Sequence, residues 1–255
     1  MIYIRLIPIS TSVLAWLSLI VIWQMPWLLY WLPWFVLVWI LGATRIMLVR
    51  GQNKTDWWRF AILPSAFYLG TLLYGSLLRL DRVWIMQLLF LMAAAVIYYY
   101  YRYTYFYLFR PVKYRVASIE SLSLYANFFS FFFTVAGLYG IQSSLNAPLW
   151  QFILFLSLFT IAVLYQLLWA NKLSVQESIV FLLVDVLVII ELAWSLAFWP
   201  VNYHIAGLTL AIMYYCLSNL TRLHLLHELD KNKIKTYLIY SAGILALLWL
   251  TAQWV

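Results

Sequence analysis

Two carboxylates, Asp185 and Glu191, stand inside one apolar run from Ile179 to Trp199. A carboxylate in hydrocarbon costs at least a few kcal/mol unless it is paired, protonated or hydrated, so it is a functional candidate by default. The chemistry open to it is proton relay, cation binding or a structural ion pair. On a helix, Asp185 lies about 9 Å and Glu191 about 18 Å beyond Ile179. Six residues at about 100° each set the two roughly 120° apart around the axis. They cannot form one paired-carboxylate centre, so each needs partners of its own.

If this run and the next form an antiparallel hairpin turning near Pro200–Asn202, Asp185 comes level with Ser218 and Asn219, one turn from Arg222. The expected arrangement is a structural Asp185–Arg222 ion pair helped by Asn219. Glu191 then faces Ile212 and Met213, with no cation at its level. Two readings stand for it. It is a neutral acid hydrogen-bonded to a residue such as Asn127, Gln166 or Gln87, fixing helix packing. Or it sits in a watered cavity and carries protons or binds a cation, with His204 as a further relay or ligand at the outer mouth.

A third grouping is His224-Leu225-Leu226-His227-Glu228. Two imidazoles at i, i+3 on one helical face, with a carboxylate beside the second, are spaced to hold a metal. A third ligand would have to come from Asp230 or elsewhere, and no HExxH motif is present. Interfacial histidines at a helix end are the plainer reading, and no metal or other cofactor is expected. The chain has no Walker A loop, dinucleotide fingerprint, nucleophile elbow or CxxC motif, so no catalytic residue is assigned. Its one cysteine, Cys216, excludes an internal disulfide. Asn53-Lys54-Thr55 fits a glycosylation sequon but falls in an expected inner loop.

The elements that hold these residues follow from composition. The chain is 67% hydrophobic and only 9% charged, which no soluble domain of 255 residues matches. Spanning a bilayer takes roughly 20 apolar residues. Nine such runs occur, at about 6–23, 27–48, 58–78, 83–101, 121–141, 149–169, 178–199, 203–223 and 236–254. They use nearly the whole chain and leave no room for a water-soluble domain. Runs of this length imply an all-α, polytopic transmembrane bundle, residues 1–255 forming one integral membrane domain. The first run follows Arg5 and is succeeded by Pro26 and Trp27 rather than small residues, so it reads as an uncleaved signal anchor.

Orientation follows from the cations. With the N-terminus inside, every lysine and arginine except Arg79 and Arg82, which flank Asp81, falls on the cytoplasmic side. That distribution predicts an N-in, C-out protein of the cell membrane. It also accounts for the net charge of +8 through anionic lipid headgroups at the cytoplasmic face, with no nucleic acid. Tryptophans cluster at the expected interfaces: Trp23, Trp27, Trp31 and Trp34; Trp57 and Trp58; Trp84, Trp150, Trp199 and Trp254. The stretch Tyr98 to Tyr107 reads as an aromatic belt at the cytoplasmic end of the fourth run.

Ser118-Ile119-Glu120 opens the fifth run and Ser174-Val175-Gln176-Glu177 the seventh. Both have a serine cap and an acid placed for the helix dipole. Tyr74-Gly75 and Tyr139-Gly140, and Trp84 and Trp150, add to this pairing. Runs three to eight thus read as three helical hairpins of one pattern, inserted in parallel.

The segment Glu191-Leu192-Ala193-Trp194-Ser195-Leu196-Ala197-Phe198-Trp199-Pro200, with Tyr203, Gly207, Leu208 and the closing Leu250-Thr251-Ala252-Gln253-Trp254, resembles an uncharacterised family of Trp-rich polytopic membrane proteins of candidate-phyla bacteria. The resemblance covers mainly runs seven to nine. It implies that Glu191 belongs to a family pattern and brings no known activity. Three function classes stand: an accessory or scaffold protein with a membrane-protein partner, a permease using Glu191, and a lipid-directed enzyme using the His224/His227 group.

Overall fold

A computed structural model describes residues 2–51, 56–78, 83–114, 118–173 and 175–252. Asn53-Lys54-Thr55, Arg79, Asp81, Arg82, Arg115, Ser174 and Trp254 lie outside the described residues, as do the side chains of Lys113, Gln176 and Glu177. The described part is all-helical: α1 (Ile2–Gln24), α2 (Leu32–Arg50), α3 (Trp57–Leu77), α4 (Val83–Phe109), α5 (Ser118–Leu145), α6 (Leu149–Ala170), α7 (Val175–Ala197), α8 (Tyr203–Leu225) and α9 (Lys231–Thr251). Eight of them are long and apolar enough to cross a membrane, α8 being the exception. The chain is a polytopic helical membrane protein.

The boundaries depart from the apolar runs where local chemistry intervenes. The second run starts late because Pro26 heads a 3-10 turn, Pro26–Tyr30, before α2 begins. Proline lacks the N–H that a continuing helix would use. α4 continues past residue 101 to Phe109, because its aromatics pair along the helix, Tyr105 stacking on Phe109 at 5.4 Å. It stops before Pro111, which disfavours the helical conformation in the residue preceding it. α5 opens at Ser118 with Glu120 in its first turn, as its signature predicts. α9 starts at Lys231, earlier than its apolar run, because the Asp230 side chain accepts from the Lys231 amide at 2.7 Å.

Buried threonine hydroxyls bond back to their own helices, Thr44 to the Ile40 carbonyl and Thr160 to the Leu156 carbonyl, each at 2.7 Å. In a water-free core this is the nearest way to satisfy a hydroxyl.

The helices form two compact units, residues 1–130 and 131–255, divided within α5. In the first, α1 packs on α4 and α2, and α3 on α2 and α4. Polar pairs fix the register: Ser18 Oγ with Tyr68 OH at 3.0 Å, and Thr44 Oγ1 with Tyr101 OH at 2.7 Å. Tyr100 and Tyr101 are buried, so the expected belt is partly core. The buried Tyr101 hydroxyl is satisfied by Thr44 and the Ile40 carbonyl.

In the second unit α8 touches α7 and α9, and α6 packs on α7. α8 carries Thr209, Ser218, Asn219 and Thr221, all buried. Its polarity is sheltered by its neighbours, whereas α9 buries only Ser241 among its described residues. The ends of α6 and α8 close alike, with six-to-one bonds from the Leu173 amide to Leu168 at 3.1 Å and from the Glu228 amide to Leu223 at 2.9 Å. Lys172 and His227 hold the positive-φ position that this closure requires.

Candidate functional site

Asp185 is buried, 5% exposed, and its carboxyl is hydrogen-bonded by Thr221 on α8. Its Oδ2 has no hydrogen-bond partner. The expected ion pair with Arg222 is not formed. Thr221 and Arg222 are neighbours on a helix and project about 100° apart, so only one of them meets Asp185. Arg222 Nη1 donates to Asn171 Oδ1, just past the end of α6, at 3.4 Å. Asn219 does not assist either. Its amide donates to the Tyr215 carbonyl at 2.8 Å, within its own helix, and its Oδ1 is buried without a partner.

Beside this carboxyl, within its electrostatic reach, is the buried Tyr214, whose hydroxyl also has no hydrogen-bond partner. The Tyr214 ring stacks on Phe131 at 4.3 Å. Asp185, Thr221 and Tyr214 thus bring oxygen atoms together between α7 and α8, and among the described residues no ion pair reaches Asp185. Asp185 itself was legible as a carboxylate inside an apolar run. Thr221 and Tyr214 were missed because hydroxyl-bearing residues are common throughout the chain and nothing in their spacing marks them.

Glu191 is on the outside. The expectation of a buried, hydrogen-bonded acid does not fit this placement, because its residue is exposed. No described residue makes a hydrogen bond or ion pair with its carboxyl. The helix presents Leu182, Val186, Ile189, Ala193 and Leu196 to the interior, and Glu191 falls between the members of that stripe, on the opposite side of the axis from Ala193. α7 is held in this rotation by Tyr139, whose hydroxyl donates to the Ala193 carbonyl at 2.7 Å.

His204 is the second residue of α8, half-buried, its ring 4.0 Å from that of Tyr203 and its amide bonded to the capping Asn202 at 3.1 Å. Near it, the ends of α5 and α7 and the start of α8 border an open cavity of about 600 Å³. Tyr139, Gln142, Asn146, Trp199, Asn202 and Tyr203 contribute to its wall, with no charged side chain and neither Glu191 nor His204. Amides and hydroxyls beside aromatic rings suit a neutral polar solute. The sequence signal for it was the pair Asn146 and Asn202, each at a helix junction.

The His224/His227 pair does not share a helical face. α8 ends at Leu225, and His227 turns into the left-handed region at φ 56°. His224 packs on the Phe181 ring at 5.0 Å, and Glu228 pairs with Lys233 at 3.6 Å. Among the described residues no group of three or more His, Cys, Asp or Glu side chains is placed to hold a metal ion.

Compared with protein-family models, curated proteins and solved structures, the chain matches none of them. The geometry alone therefore carries the functional reading.

Proposed function

We propose that the chain is a non-enzymatic accessory protein of the cell membrane, N-terminus inside, which holds another membrane protein against the outer face of α7. One observation carries this: Glu191 is exposed on a membrane-spanning helix, where lipid cannot satisfy it. The basic inner loops rest on anionic headgroups in this reading. Photo-crosslinking tests it. A benzoylphenylalanine at Leu187 is expected to yield a reproducible protein adduct in native membranes, and one at the inward Ile189 is expected to yield none. Lipid adducts alone from position 187 reject the reading.

A small-solute permease is the second reading, favoured by the neutral cavity above the α5–α8 core. Its buried acid would be Asp185 rather than Glu191. Uptake of neutral polar solutes into proteoliposomes that survives Asp185→Asn rejects that assignment.

A further inference from the structure

Apolar side chains facing lipid need no explanation, and α9 has many. α7 differs because its outward face has a regular spacing and one charge. Val180, Val184, Leu187, Glu191 and Trp194 follow one another at intervals of four, three, four and three residues, and Phe198 continues the spacing just past the end of the helix. All are exposed, Val180 by 64%, Leu187 by 56%, Trp194 by 56% and Phe198 by 73%. Alternating threes and fours are the spacing of a coiled-coil seam, which stays turned toward a partner helix along its whole length. Glu191 occupies a seam position, about 9 Å from the end of the helix at Ala197. That is too deep for its short side chain to reach the headgroups.

We propose that this seam binds a transmembrane helix of another protein, and that this helix carries a lysine, arginine or histidine level with Glu191. The inference rests on the accessory reading above and specifies the partner. Charge complementarity selects it, because a carboxylate at that depth is relieved best by a cation brought in with the covering helix. The chain's described cations stand near helix ends or in connections: Arg5 and Arg59 in first turns, Lys231, Lys233 and Lys235 at the start of α9, Arg45 and Arg50 towards the end of α2, Arg222 in the last turn of α8, Arg102 on the extended end of α4, and Arg110 and Lys172 just past helix ends. Among the described residues, a second copy of this chain would therefore bring no cation to Glu191. In a parallel pair it would bring a second Glu191 instead.

The test uses the full-length protein, fluorescently labelled, in phosphatidylcholine bilayers. The probe is an inserted Leu/Ala host helix with one lysine about 9 Å from its outer end. Energy transfer is expected to show binding of the lysine helix, weakened about tenfold by Lys→Leu in the host or Glu191→Gln in the protein. Glu191→Lys is expected to bind an aspartate host instead, which shows that a loss in Glu191→Gln is not misfolding. Equal binding of lysine and leucine hosts overturns the proposal, as does self-association of the protein that Glu191→Gln abolishes. If crosslinks from Leu187 to a protein are found while the lysine helix fails to bind, the charged partner is rejected and the accessory reading stands. If no protein crosslinks at all, both fall.

Discussion

Tyr139 donates its hydroxyl to the backbone carbonyl of Ala193 at 2.7 Å, tying the end of α5 to α7. Ala193 is fully buried and lies two residues beyond Glu191, about 200° around the helix. The bond therefore fixes which side of α7 faces inward and turns Glu191 away from the interior. A residue that looked like a buried relay in one dimension becomes a surface feature once its helix is rotated into place.

The same part of α5 approaches α8 so closely that position 207 tolerates no side chain. A Cβ at Gly207 would stand 2.7 Å from Ala136 Cβ and 2.8 Å from its Cα. Gly207→Ala is expected to destabilise the protein by roughly 1–3 kcal/mol, measured by denaturant titration in mixed micelles. Because backbone atoms share the clash, Ala136→Gly should restore only part of the loss.

Asp185 offers a contrast between two arrangements. With no cation beside it, Asp185→Asn keeps the Thr221 bond and removes the desolvation of a carboxylate, so stability should rise by about 1–3 kcal/mol. Arg222→Ala should cost no more than about 1.5 kcal/mol, the worth of its single long bond to Asn171. Large losses from both substitutions would show that they form an ion pair after all. Thermal unfolding in bicelles measures the difference.

His227 holds a conformation that favours glycine, φ 56°, in the turn closing α8. His227→Gly is expected to raise stability by about 1 kcal/mol, because it removes the strain of a left-handed residue. A metal ligand at this position would behave oppositely, with lost metal and lower stability in the same variant.

The connection before α5 carries a pH response. Burial pushes the Tyr114 hydroxyl up from 10.0 to about 12, with Glu120 adding to that rise and the Ile119 amide opposing it. Tyr114 donates to Glu120 Oε2 at 3.2 Å and accepts from the Ile119 amide at 3.3 Å. The folded state holds this proton more tightly than the unfolded state. Its contribution is complete below pH 10 and is lost as pH rises through about 12. Tyr114→Phe should lower stability across the neutral range, where both hydrogen bonds are lost, and flatten the alkaline fall over that interval.

How much of this was legible in the sequence depends on what lipid does to patterning. Among the described residues, the eight helices long and apolar enough to cross a membrane were readable because apolar runs of spanning length have few other outcomes. Their ends were readable where Ser118 supplied a cap, and misread where Tyr103 and Tyr105 carried α4 onward through aromatic stacking. Rotation was not readable at all. In water, Leu182 and Leu183 would be told apart by the polar residues near one of them. In α7 the interior residues Leu182, Val186 and Ile189 and the outward Leu183, Val184 and Leu187 are of the same kinds, because the core and the lipid are both apolar. Depth of Asp185 and Glu191 followed from counting, whereas facing needed the partners Thr221 and Tyr139.

Dicyclohexylcarbodiimide, an apolar reagent that enters from the bilayer and modifies carboxyl groups, tests the outward placement of Glu191 most directly. Purified protein in phosphatidylcholine bilayers is treated and digested, and the modified acid is located by mass spectrometry. Modification is expected at Glu191, with protection when the lysine host helix is bound, and Asp185 is expected to stay unmodified. Modification of Asp185 with Glu191 untouched would contradict the outward placement.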